Sequence, residues 1–177
     1  MKTTEPSVRL MSWNTLDPNT TGLCRLADCF ALDRIAFVRK PRRWSEAVGT
    51  QGHVPTLVAG LPLSLLCEWQ DDGYEVVAIE QGDEAEMLGE SALPRRAAFV
   101  LGNEGGGVPA SVRALASRTV EIPQWGQCGS LNVSVAAGIV LYEWARWWRG
   151  DWPRSENARK KRHGMGRDAG RCARGAV

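Results

Sequence analysis

The chain of 177 residues contains no apolar run near the roughly 18 to 20 residues that a bilayer-spanning helix requires. Its first ten residues, MKTTEPSVRL, have neither the apolar core of a secretory signal nor the Arg/Ser-rich character of a transit peptide. A cytoplasmic protein with no membrane partner is the expectation. Five cysteines, at positions 24, 29, 67, 128 and 172, form no C-x-x-C pair and leave an odd one over. That pattern argues against a disulfide framework and against zinc-finger spacing. Only two histidines are present, His53 and His163, both far from any motif, and no Asp/Glu/His cluster has metal-ligand spacing. Neither a histidine base nor a bound metal is expected, and no internal repeat is visible.

What is present is a 44% hydrophobic chain of a size that suits one domain, expected over residues 1–150. The net charge of +2 hides a division. Residues 144–177 carry ten Lys/Arg against three Asp/Glu, whereas the rest carries twelve against seventeen. An asymmetry of this kind is a footprint of a polyanionic partner, and the basic stretch interleaves Trp144, Trp147, Trp148 and Trp152. RNA fits it; the alternative is a solvated tail whose Trp144 and Trp148 pack on the body. Residues 151–177 have almost no large apolar side chains after Trp152 and are expected to be disordered.

Short apolar runs alternate with helical patterns, which is the form of an α/β domain with a mostly parallel sheet. Strands are predicted near Val8 to Trp13, Ile35 to Val38, Val76 to Ile79, Ala97 to Leu101 and Thr119 to Ile122. A first helix shows Leu23, Leu26, Ala27 and Phe30 on one face, a second runs from about Leu63 to Trp69, and a third begins after Pro109. The clearest pattern is the fourth, in which Val133, Ala136, Ala137, Val140, Leu141, Trp144 and Trp148 recur at three-and-four spacing.

Two segments carry chemistry. LGNEGGGVP, from Leu101 to Pro109, follows a strand, and its glycines permit positive φ and close approach of backbone to a ligand. It is not a P-loop, because no Gly-Lys-Ser/Thr follows. Gly105, Gly107 and Ala110 match a dinucleotide fingerprint only loosely, and Pro109 interrupts the passage into the helix. A glycine-rich turn with its carboxylate in solvent is the remaining structural alternative. The second segment, IPQWGQCGSLNVSVAAGIVLYE from Ile122 to Glu143, leads straight into the fourth helix. There Ser130 or Asn132 would make a good N-cap, and a helix start also favours nearby negative charge.

Together these segments resemble the second and third signature motifs of the SpoU/TrmH family of the SPOUT superfamily. Asn14 to Arg25 resembles the first, with Asn19 followed six residues later by Arg25, although Thr21-Gly22 stands where a different small-polar pair is usual. The resemblance implies a parallel sheet with helices on both faces and a C-terminal trefoil knot. It implies an S-adenosylmethionine-dependent RNA methyltransferase acting on ribose 2′-hydroxyls, without a metal, and a homodimer to which the fourth helix contributes. By the same resemblance, Ile79, Gly102, Ile122, Ser130 and Leu131 would bind the cofactor and Asn19 and Arg25 the substrate. Arg25, Glu104, Ser130 and Asn132 would form the catalytic group. Without the later motifs, Arg25 would read as a surface helix residue.

A guanidinium with a pKa above about 12 is scarcely ever neutral at pH 7, so gripping the neighbouring phosphate and lowering the hydroxyl's pKa is a chemically easier role for Arg25 than general base. The compact chain favours tRNA over rRNA as substrate. An rRNA methyltransferase of the same fold, a base-nitrogen methyltransferase, and a catalytically silent RNA-binding protein are the alternatives.

Overall fold

The computed structural model describes residues 5–13, 17–39, 54–103 and 105–149. In chain order these form β1 (Ser7–Ser12), α1 (Asp17–Cys29), β2 (Arg34–Phe37), β3 (Thr56–Val58), α2 (Pro62–Asp71) and β4 (Glu75–Ile79), followed by β5 (Glu86–Met87), β6 (Arg96–Leu101), α3 (Ala110–Leu115), β7 (Arg118–Glu121) and α4 (Val133–Trp148). The strands make one sheet in the order β3-β2-β1-β6-β4-β7-β5, and every pairing is parallel. The α/β class expected from the alternation is the class observed. The tail from residue 150 onward and Glu104 lie outside the described residues.

Period-two alternation assigns each strand's side chains to two cores. Val8, Leu10, Ile35, Phe37, Val77, Ile79 and Phe99 face α1 and α4, packing on Leu23, Ala27, Ala137, Leu141 and Trp144. Met11, Ala36, Val76, Ala78, Ala98 and Val100 face the opposite layer, packing on Leu66 and Trp69 of α2 and Val112 of α3. Helices therefore cover both faces. This is why β1, β4 and β6 read as near-continuous apolar runs. Phe99 lies in the central strand, in register with Leu10 on one side and Val77 on the other. Burying such a side chain contributes about 1.5–3 kcal/mol.

The fourth helix matches its predicted bounds, and the expected stripe is buried or half-buried along it. Trp144 donates its indole N–H to the Pro94 carbonyl at 2.9 Å and Trp148 donates to Leu93 at 2.7 Å. These two tryptophans belong to the body, not to a nucleic-acid footprint. The small residues Ala136, Ala137 and Gly138 are also used within the chain: Ala137 is buried, and a methyl group added at Gly138 would touch Leu26 of α1 at 3.6 Å. The exposed large apolar residues of α4 are instead Val135, Ile139, Tyr142 and Trp147, the first three forming one stripe at four-and-three spacing.

Two strands were not anticipated, β3 and β5, which have three and two residues and sit at the sheet's edges. β5 carries no apolar signal because polar side chains hold it. Arg118 of β7 pairs with Glu86, and its guanidinium also donates to Ser91 Oγ at 2.6 Å and to the Ala92 carbonyl at 3.0 Å.

Candidate functional site

At the carboxyl ends of β4, β6 and β7 the loops enclose a cavity of about 260 Å3, close to the lower bound of roughly 300–1,000 Å3 for small-molecule sites. Open parallel sheets place ligands at this end of their strands. Ile79, Gly102, Ile122, Ser130 and Leu131 all line it, as do Glu80, Asn103, Gly107, Gln124 and, from the start of α4, Val133 and Ala136. Five residues that stand as much as 52 positions apart in sequence thus line one cavity.

The glycines here have definite tasks. A methyl group at Gly102 would lie 2.0 Å from the backbone carbon of Gly107, so only glycine lets the two ends of the loop meet. Gly107 has φ of +59°, a left-handed conformation that side chains disfavour. Asn103 folds the loop back on itself. Its Oδ1 accepts the N–H groups of Gly105 and Gly106 at 3.0 and 2.8 Å, and its carbonyl accepts from Gly107 at 2.9 Å.

Glu80 is a site residue that the motifs did not reveal. It follows β4 directly, and its Oε2 accepts the Val108 N–H at 2.6 Å while its Oε1 accepts the N–H of Gln81 at 3.1 Å. A methyl group at Gly107 would collide with this carboxylate at 2.2 Å. The glycine loop is therefore clamped from the neighbouring strand. An acid immediately after a buried strand was the available signal, but only the β4–β6 pairing tells which loop it reaches.

Of the expected catalytic group, Arg25, Ser130 and Asn132 are among the described residues and Glu104 is not. Asn132 is the N-cap of α4: its Oδ1 accepts from the Ser134 N–H at 2.9 Å, from Ser134 Oγ at 2.7 Å and from the Val135 N–H at 3.4 Å. Its Nδ2 donates to Asn19 Oδ1 at 2.8 Å. The carboxamide thus caps α4 with its oxygen and ties that helix to α1 through its nitrogen, and of the two capping candidates Asn132 takes the task. Ser130 is left exposed at the cavity rim. Asn19 is buried at this junction, one turn before Gly22, where a methyl group would come within 3.0 Å of Ser134 Cβ. The glycine of the divergent Thr21-Gly22 pair is what allows α1 and α4 to approach.

Arg25 is exposed on α1 and does not line the cavity. The helix starts at Asp17, earlier than its apolar face suggested, so Asn19 and Arg25 are both inside it. Six residues of helix is about 600°, which turns Arg25 some 120° away from Asn19. The two do not form one contact surface.

Residues 8–142 match the SpoU rRNA Methylase family. The 23S rRNA (guanosine-2'-O-)-methyltransferase RlmB of Nitrosomonas europaea is 34% identical over 152 residues, 79% of this chain and 56% of that protein. The tRNA (guanosine(18)-2'-O)-methyltransferase of Aquifex aeolicus is 37% identical over 82 residues, 46% of this chain and 39% of that protein. The chain spans less than two thirds of the length of the curated relatives it matches. In fold it is similar to the TrmH/SpoU tRNA modifying enzyme of A. aeolicus, with a TM-score of 0.75 at 24% identity over 93% of this chain and 88% of that one. It is also similar to the SpoU methyltransferase AviRb of Streptomyces viridochromogenes, solved in complex with AdoMet, with a TM-score of 0.67 at 21% identity over 81% and 61%. The chain belongs to the SpoU rRNA methylase family.

Proposed function

We propose that this protein transfers a methyl group from S-adenosylmethionine to a ribose 2′-hydroxyl of RNA. The observation that supports the reading most strongly is the convergence of Ile79, Gly102, Ile122, Ser130 and Leu131 on one cavity, clamped by Glu80, in a chain of this family. The cavity suits that cofactor. Ile79, Leu101, Ile122 and Leu131 offer an apolar lining for the adenine faces, and the turns of the two loops offer main-chain amides and carbonyls for its edge. The bound cofactor would supply a methyl already activated by sulfonium charge. The protein's task is then to align the hydroxyl and share its proton, and alignment alone is worth on the order of 7–11 kcal/mol.

In this reading the loops 102–109 and 122–132, which form a trefoil knot in the family, do so here as well. Ser130 at the rim orients the ribose. Arg25 acts electrostatically, holding a phosphate and favouring the 2′-alkoxide. Because Arg25 stands outside the cavity of its own chain, it meets the reacting ribose from the RNA side or across an interface with a second copy. The exposed stripe Val135, Ile139 and Tyr142 supports a homodimer built on α4. The protein works in the cytoplasm on structured RNA. tRNA is the first substrate to test, and rRNA, the substrate class of RlmB, is the second.

The decisive experiment supplies radiolabelled S-adenosylmethionine with unmodified tRNA and rRNA in parallel, followed by nucleoside analysis. A labelled 2′-O-methyl nucleoside is expected; cofactor binding with label in neither RNA would point to a missing partner or an untested RNA, and no cofactor binding at all would favour the silent RNA-binding alternative. Arg25→Ala should lower methyl transfer by at least about a hundredfold while S-adenosylhomocysteine affinity stays within twofold of wild type. Equal loss of both would remove Arg25 from the reaction. Mixing Arg25→Ala with a cavity-blocked Gly102→Val chain separates the two routes, since activity returns in mixed dimers only if Arg25 serves the partner's cavity.

A further inference from the structure

Trp125 is 93% exposed, the most exposed of the large hydrophobic side chains among the described residues. Trp69 and Trp144, by contrast, are 1% and 0% exposed, and Trp147, the next most exposed indole among the described residues, is 46% exposed. Trp125 does not itself line the cavity but belongs to a loop that does. Its neighbour Gln124 lines the cavity, and so do Gly129, Ser130 and Leu131 at the other end of the same loop. A methyl group added at Gly126 or Gly129 would meet nothing within 4 Å, so the loop has open space around it, and among the described residues no side chain covers the indole. A large, rigid aromatic surface is thereby held in water beside the place where the proposed reaction presents a nucleotide.

We propose that Trp125 is a stacking platform for a nucleobase of the RNA, belonging to the nucleotide whose ribose is methylated or to its immediate neighbour. The inference rests on the proposed RNA methyl transfer and deepens it. Ribose chemistry gives the cavity no hold on base identity or placement. Recognition of unpaired RNA relies on stacking unstacked bases on aromatic side chains, which every base permits through its π-face. The cavity wall binds the methyl donor, the rim carries Ser130, and the indole next along the loop fixes the base so that its sugar is directed at the rim. Trp125 is thus a positioning residue for substrate, and its loss acts on RNA and not on the cofactor.

The test uses the full chain as wild type, Trp125→Ala and Trp125→Tyr; at 93% exposure neither change disturbs the core. Binding is read by intrinsic fluorescence with a short oligoadenylate and with an abasic oligomer of equal length and charge. Wild type should bind the oligoadenylate more tightly and show quenching that Trp125→Ala loses, while the abasic oligomer distinguishes none of the three proteins. With RNA that accepts methyl groups, Trp125→Ala should raise KM for RNA on the order of tenfold, Trp125→Tyr should recover most of it, and S-adenosylhomocysteine affinity should not change. Unchanged oligoadenylate binding and KM in Trp125→Ala would overturn the proposal, as would a shift from dimer to monomer in sedimentation, which would make the indole an interface residue. Failure of wild type to methylate any RNA, with base-dependent quenching intact, would overturn the methyl-transfer reading and leave the stacking platform standing.

Discussion

The two ends of the sheet are built on different principles. At the carboxyl ends, the cavity is shaped by backbone: Gly102 against Gly107, Asn103 turning the loop, and one carboxylate, Glu80, holding it. At the amino ends, side chains do the holding. Arg9 is 8% exposed, donates to Asp33 and Asp72 at 2.7 Å each, and has its guanidinium 4.0 Å from the ring centre of Tyr74. The Tyr74 hydroxyl donates to Asp33 at 3.0 Å and shares a 2.7 Å hydrogen bond with Ser7, and Arg96 covers the ring's other side at 4.2 Å. A ligand-binding end needs amides, carbonyls and space left for its ligand. An end that only needs to stay closed has its cation matched by two anions and stacked on aromatic rings. Substitutions at the two ends should therefore separate function from stability.

The largest effect is expected from Gly102→Val, which forces the loop ends apart. Cofactor affinity and methyl transfer should both fall by more than about a hundredfold, read by calorimetry and label incorporation, with the thermal midpoint little changed. A collapse of stability instead would mean that the cavity end also holds the fold together. At the opposite end, Arg9→Met should reverse the pattern. Removing a buried cation from two half-exposed carboxylates and an aromatic face should cost about 2–3 kcal/mol in urea unfolding. Methyl transfer by the folded fraction should be unaffected, and a matching loss of turnover would erase the distinction between the ends.

A smaller effect follows from the clamp. Glu80→Ala removes the acceptor for the Val108 N–H and should weaken S-adenosylhomocysteine binding about five- to tenfold, whereas Glu80→Gln, which keeps an oxygen acceptor, should lie near wild type. Equal losses in the two would point to charge at this position as the requirement, not the hydrogen bond.

The smallest effect concerns pH. Burial raises the Asp33 pKa, but hydrogen bonds from Arg9 and Tyr74 and the positive charge nearby outweigh it and hold the carboxyl below its ordinary range. A depressed carboxyl contributes stability above its unfolded pKa of about 3.9, and that contribution is lost as pH falls through the folded value. Wild type should therefore lose stability below about pH 4, and Asp33→Asn should flatten that acid limb while leaving the pH dependence of cofactor binding alone.

Legibility in the sequence follows the same division. The cavity was visible because its tasks fall on contiguous residues: a glycine loop after a strand, and Ile122 to Asn132 running into a helix with a strong apolar period. Even the ambiguity over capping was confined to Ser130 and Asn132. The Arg9 network was invisible, since Arg9, Asp33, Asp72 and Tyr74 lie in four separate segments, and no local pattern distinguishes a paired surface charge from a solvated one. Glu80 was missed for a related reason, as its partner stands 28 positions away. Strands β3 and β5 were too short for two-residue alternation to register. Arg25 was identified by its spacing from Asn19, but spacing does not report direction. Once both residues lie within α1, helical geometry turns one inward and the other out.

The hydrogen bond between Asn132 and Asn19 joins positions 113 apart. It closes one of the longest circuits among the described residues, and it secures the helix whose first turn walls the cavity. Parallel pairings are non-local and slow to form, and on the ribosome the amino-terminal strands emerge first. The nascent chain can assemble β1 against β6 and lay down α1 before α4 exists, but the cavity has no fourth wall until nearly all of the described chain has been synthesised. The cavity is then complete only once α4 has been made, and any interruption upstream of α4 leaves a sheet with that cavity still open.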